Sequence, residues 1–231
     1  MYEFPTARGR TGRARLLQLV CLSAAILDAA LQPAGLNDTV ILSPGIALAN
    51  ALGEKGDQTL SDALDQSGLS APYISWTTDF LTYIRTTTNA DGNNRIFRSN
   101  NPTGYLNLDL GRQFNITGLA LWNANGDRAL RDFEIFASAD ATFSTLTSLA
   151  AFVNVAQGNG GALEAQALTF SSSALTRYVR VRITNNYGHK DQVSFGELGF
   201  QATLEPSPLV LYACALGLFF SWNRHKAVSA S

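Results

Sequence analysis

The 231-residue sequence predicts a single antiparallel β-sandwich held between two apolar terminal segments. Three observations carry that prediction. Period-2 alternation of apolar and polar residues recurs through the middle of the chain. Clusters of Gly, Asn, Asp and Ser cut it into short pieces. Helical periodicity is nearly absent between Ser70 and Ala202.

The elements follow in order. Arg8, Arg10, Arg13 and Arg15 precede the apolar stretch Leu16 to Leu27, the charged and greasy parts of a secretory signal, so residues 1–33 read as a signal-peptide region. A lead segment spans 34–59, and Asp62 to Gln66 is expected to form a brief helical turn. In Tyr105 to Leu110, Leu106, Leu108 and Leu110 share one side while Asn107 and Asp109 share the other, as in a half-buried strand. Further strands are expected at Ile116 to Trp122, Phe133 to Ala137, Leu149 to Val155, Gln166 to Phe170, Tyr178 to Ile183 and Glu197 to Phe200. In the Tyr178 strand, Val179, Val181 and Ile183 point inward, with Arg180 and Arg182 outward. The sandwich is assigned to 60–203 and a tail to 204–231.

Composition excludes several classes of function. With 46% hydrophobic residues, 15% charged residues and a formal net charge of -1, the chain has no basic stripe outside its termini, so nucleic acid is not an expected partner. Cys21 and Cys214 both lie in the terminal apolar segments, so packing rather than a disulfide must hold the core. The two histidines, His189 and His225, belong to no H-x-x-x-H motif. Ser171-Ser172-Ser173 has no G-x-S-x-G context. No catalytic constellation stands out, and the chain reads as a binding protein rather than an enzyme.

The tail has three parts in fixed order. Glu205-Pro206-Ser207-Pro208 comes first, then the apolar run Leu209 to Trp222, then Asn223-Arg224-His225-Lys226. At about 1.5 Å per residue that run makes a helix of roughly 21 Å, shorter than the ~30 Å hydrocarbon core. A short, removable membrane stop fits it better than a permanent anchor, with Arg224 and Lys226 held on the cytoplasmic side. The layout resembles the PEP-CTERM sorting signal of bacterial surface proteins, with Leu204 where that signal has its first proline. The resemblance implies an exosortase acting near Glu205 and Pro206. It also implies transient residence in the inner membrane, followed by release to the cell surface or extracellular matrix.

A second resemblance lies in the strands. Tyr105-Leu106-Asn107-Leu108-Asp109-Leu110-Gly111 with Ile116-Thr117-Gly118-Leu119, then Asp132 to Ser138 with Phe143-Ser144, then Arg177 to Val181, then Glu197-Leu198-Gly199-Phe200 form four blocks. In that order they resemble the discoidin domain, also called the coagulation factor 5/8 type C domain, over roughly residues 60 to 202. This implies a galactose-binding-like jelly roll and a binding module. It also implies a structural calcium, with Asp91 and Asn94 of Asn89-Ala90-Asp91-Gly92-Asn93-Asn94 and the late Glu197 at the matching positions. Hard oxygen ligands suit calcium. Equally, D-G-N is a common turn and Glu197 could simply face solvent.

A sugar site needs an exposed ring flanked by Arg, Asn or His donors. Trp76, Arg128 and the Asn186-Tyr187 pair with His189 are the candidates. Trp122 lies on a strand and reads as core, whereas Tyr187 beside Gly188 sits in a loop. The favoured function is non-catalytic binding of an extracellular polysaccharide or glycoconjugate. The alternative is a structural surface-coat or matrix protein whose sandwich binds no small ligand.

Overall fold

The structure, a computed structural model, describes residues 39–41, 47–74, 79–90 and 95–203. The signal region, the sorting tail with its 209–222 apolar run, Trp76, Asp91 and Asn94 lie outside the described residues. Among the described residues no helix is long and apolar enough to cross a membrane.

Among the described residues nine strands form the framework: β1 (Thr39–Ile41), β2 (Ala47–Asn50), β3 (Thr88–Ala90), β4 (Phe97–Arg98), β5 (Gly104–Asn123), β6 (Leu130–Ser138), β7 (Leu146–Phe152), β8 (Ala162–Asn186) and β9 (Ser194–Thr203). All pairs are antiparallel, and hydrogen bonding runs in the order β1-β9-β5-β8-β6-β7. Two strands are far longer than the sequence suggests, because β5 and β8 each pass from one layer of the sandwich to the other. Residues 104–109 of β5 pair with 178–183 of β8, which in turn pair with β6. Residues 118–122 of β5 pair with 165–169 of β8 and, on the other side, with β9. The change of layer falls where the β5–β8 register breaks between Asp109 and Phe114. Gly111 sits there at φ +79°, a conformation glycine adopts without a Cβ penalty, and its N–H donates to Asp109 Oδ1 at 2.8 Å.

The alternation read from the sequence holds in space. Leu106, Leu108, Leu110, Val179, Val181 and Ile183 are buried, and they meet Leu119, Leu121, Phe170, Leu198 and Phe200 of the other layer in one core. A second, smaller core covers the opposite face of the β9-containing layer. There the helix α1 (Phe80–Thr86) buries Phe80, Tyr83 and Ile84 against Ala120, Trp122 and Leu163. The spacing i, i+3, i+4 gives the helix one apolar face, and Asp79 caps its start by accepting from Thr82 N at 2.8 Å. The expected helical turn is a 3-10 turn at Leu60–Ala63, ahead of the assigned Asp62 to Gln66. Its position follows from Asp62, whose carboxylate accepts from Thr59 N at 2.7 Å and closes the turn there.

Candidate functional site

At the end of the sandwich where β5 stops and β6 starts, three loops are tied together: 124–129, 153–161 and 187–193. Asn123, fully buried, is the first knot. Its Nδ2 donates to Leu130 O (2.6 Å) and Ala156 O (2.8 Å), and its Oδ1 accepts from Leu130 N (2.9 Å). Asn186, also buried, is the second. Its Nδ2 donates to His189 O (2.7 Å) and Gln192 O (2.6 Å), and its Oδ1 accepts from Gly188 N (2.9 Å). The side chain of Asn186 is thus committed to the shape of its loop. An amide with two donors and an acceptor is what a buried loop turn needs to satisfy its backbone.

Around these knots the structure brings together three of the sequence candidates. Ser194 N donates to Arg128 O (2.8 Å), His189 N to Asp127 O (3.0 Å) and Tyr187 N to Ala129 O (3.3 Å), so the 124–129 and 187–193 loops form one rim. Arg128 is half-exposed and its Nε donates to Gln192 Oε1 at 2.8 Å. Asp127 is the nearest carboxylate, with Oδ1 3.9 Å from Arg128 Nη1. His189 accepts from Asp191 N on Nδ1 at 3.2 Å, which leaves the proton of the neutral ring on Nε2. Tyr187 is half-buried, and its hydroxyl donates to Val155 O at 2.8 Å, fixing the ring on the 153–161 loop. Loop position alone suggested a freer side chain. Gln192, which orients Arg128, was not singled out by sequence reasoning. It lies inside the candidate loop, but its pairing with residue 128 is a product of the fold.

Trp122 is fully buried, as its strand position predicts, and its indole N–H donates to Thr87 O at 3.0 Å.

Glu197 does not face solvent. It sits on β9 opposite Trp122, fully buried. Its Oε1 accepts from Gln66 N at 3.3 Å, while its Oε2 has no partner. Burial pushes its carboxyl up to about 9. The Gln66 N–H opposes that rise, and the negative Asp65 and Asp62 add to it. Asn89, whose amide packs against Gly196 next to Glu197 in the chain, is also fully buried, with neither Oδ1 nor Nδ2 partnered. A Cβ at Gly68 would come within 2.5 Å of Asn89 Nδ2, and one at Gly196 within 2.8 Å of Asn89 Oδ1, so two glycines make room for this amide. Buried polar atoms without partners are rare and costly. A carboxylate oxygen and an amide oxygen so placed are the hard donors that a calcium ion would satisfy, and Asn89 directly precedes the Ala90-Asp91 segment. Glu197 Oε2 and Asn89 Oδ1 are thus oxygens of the kind that such an ion takes, while Asp91 and Asn94 lie outside the described residues. Among the described residues there is no cluster of three or more His, Cys, Asp or Glu that could hold a metal.

The model of the F5/8 type C domain matches residues 82–198. Among solved structures, the family 32 carbohydrate-binding module of NanJ from C. perfringens, in complex with galactose, is 16% identical. The match covers 64% of this chain and 88% of that one, with a TM-score of 0.42. Chitosan-binding module 1 from a chitosanase/glucanase of Paenibacillus sp. IK-5 is 16% identical over 70% of this chain and 97% of its own, with a TM-score of 0.46. The CBM32 of AlyQ, in complex with 4,5-unsaturated mannuronic acid, is 21% identical over 48% and 81%, with a TM-score of 0.37. No curated protein matches the chain in sequence. Strand order, four sequence blocks and the family match agree: the chain belongs to the F5/8 type C domain family.

Proposed function

We propose that this protein is a non-catalytic glycan-binding module that takes its ligand on the rim formed by the 124–129 and 187–193 loops. The observation that carries the reading is the convergence of Arg128, Tyr187 and His189 at one end of an F5/8 type C sandwich. There a half-buried ring, a guanidinium held by Gln192 and an imidazole Nε2–H are carried on loops that are hydrogen-bonded backbone to backbone. A ring offers an apolar face for a sugar, and the two nitrogen groups offer donors for its hydroxyls. Trp76 belongs to the same proposal on its residue type alone.

Calcium has a structural role in this reading. Glu197 and Asn89 would hold it together with Asp91 and Asn94, and it would supply the positive charge that the buried Glu197 carboxylate lacks. Export, sorting near Glu205 and Pro206, and final residence at the cell surface or in the matrix rest on the three-part tail and the basic, apolar N-terminus.

The test is a glycan array probed with the full chain, then repeated with Tyr187→Ala and Arg128→Ala. Saturable binding to a defined sugar, weakened about tenfold or more by each variant, is expected. Binding that survives both substitutions removes the rim from the site. Self-association of the chain with no glycan bound would favour the structural-coat alternative.

A further inference from the structure

The geometry points to a second binding site, for the oxyanion of an acidic sugar unit, on the outer face of the β5–β8–β6 layer and centred on Arg180. On that face the cross-strand rows are Tyr105–Arg182–Glu134, Asn107–Arg180–Phe136 and Asp109–Tyr178–Ser138. Arginines and rings alternate there as they do nowhere else among the described residues. Four of the five guanidinium–ring contacts lie on this face, at 4.3 to 5.2 Å from the ring centroids.

The three arginines differ in one respect. Arg177 forms a two-pronged pair with Asp109 (2.6 and 2.7 Å), and Arg182 pairs with Glu134. Arg180 has no carboxylate among the described residues. Its guanidinium is held by Tyr105 at 4.3 Å and Phe143 at 5.1 Å, and its Nε donates to Asn107 Oδ1 at 2.7 Å. The plane is fixed and the charge unanswered, with the terminal N–H groups left as a fork. A fixed fork recognises a carboxylate or a sulfate in two-pronged fashion, which an ammonium cannot do.

A second observation bears on the same side chain. Phe143 adopts φ +56°, a left-handed conformation that an aromatic residue rarely takes. The Asp140 turn holds it there, with Thr142 N donating to Asp140 Oδ1 at 2.8 Å, and the consequence is a buried ring set against Arg180. Strain is accepted at the residue that completes the clamp. Tyr105, 37% exposed, adds apolar surface beside the fork for the sugar ring that carries the anion. The whole chain is near neutral, so attraction on this face is local, and binding should weaken steeply as salt rises.

The experiment measures binding of the full chain at low salt to polygalacturonate, dextran sulfate and uncharged dextran, with a thermal melt on each variant. Binding to one or both polyanions over dextran is expected, and the preferred polymer tells carboxylate from sulfate. Arg180→Lys keeps the charge but loses the fork, and should bind about tenfold more weakly or worse with an unchanged melt. Tyr105→Leu, at an exposed position, should weaken binding in the same direction. Tyr187→Ala should leave polyanion binding intact, because the loop rim is a separate site. Equal binding to dextran, no binding to either polyanion, an Arg180→Lys protein that binds as tightly as the parent, or loss through Tyr187→Ala would each overturn the inference.

Discussion

Replacing Glu197 with glutamine should raise stability in chelator at high pH and remove most of what calcium adds. In chelator, the carboxyl ionises at about 9 in the fold against an ordinary 4.5. The unfolded chain therefore gives up its proton first, and between those two values the folded state holds one proton more. Stability from this group is complete below 4.5 and is lost as pH rises towards 9. At about 1.4 kcal/mol per pH unit, the loss by pH 8 is about 5 kcal/mol. In a domain of this size that corresponds to roughly 10 to 20 °C in melting temperature. Glutamine does not titrate, so in chelator Glu197→Gln should show no such slope and should melt above the parent at pH 8. Calcium narrows the difference at pH 8. The parent gains about 2.7 kcal/mol at a hundredfold excess over Kd, and the variant, lacking the carboxylate, gains little. The assay is thermal denaturation followed by circular dichroism at pH 5, 6.5 and 8, with calcium or with chelator. A Glu197→Gln protein that melts below the parent in chelator at pH 8 would falsify the account of a buried, unsatisfied carboxylate. Superimposable calcium and chelator melts for the parent would remove the metal.

Trp122→Ala should cost about 3 to 5 kcal/mol by denaturant melt, because it empties a fully buried site and orphans Thr87 O. Asn186→Ala should cost about 2 to 4 kcal/mol, since three hydrogen bonds that shape the 187–193 loop go with it. It should also abolish binding at the loop rim by releasing that loop; a melt and a rim-ligand titration unchanged from the parent would sink both statements. In a host with an exosortase, mass spectrometry of the surface fraction should find no peptide spanning Leu209 to Lys226, and its intact recovery would end the sorting proposal.

The layers of the sandwich were legible because burial on one face imposes alternation. Leu106, Leu108 and Leu110, and Val179, Val181 and Ile183, lie where that rule puts them. The length of β5 and β8 was not legible. Residues 111–115 and 171–177 fall between the expected strands, whereas β5 and β8 run through them without stopping. Helix α1 escaped notice because seven residues, two of them threonine, give too short a run for a 3.6-residue period to stand out. At the rim, residue types in loops pointed to Arg128, Tyr187 and His189. Nothing local could reveal that Asn186 is spent on its own loop or that Gln192 holds Arg128, since those pairings depend on where distant backbone falls. Asn89 was missed for a similar reason. Its significance lies in the absence of partners, which only packing against Gly68 and Gly196 creates.

The passage of β5 and β8 through both layers bears on how the molecule comes apart. In a sandwich whose strands each belong to one sheet, one sheet can fray while the other persists. Here a break in either layer pulls on a strand whose other half is paired in the second, so the two layers should open as one cooperative unit in hydrogen exchange. The same pairing joins Gly104 to Ile183 and Trp122 to Ala165, contacts far apart in the chain. Such contacts form only after long loops close, which makes this domain a slow folder. A chain delivered unfolded across a membrane would then spend its most vulnerable interval with the apolar edges of β5 and β8 waiting for each other.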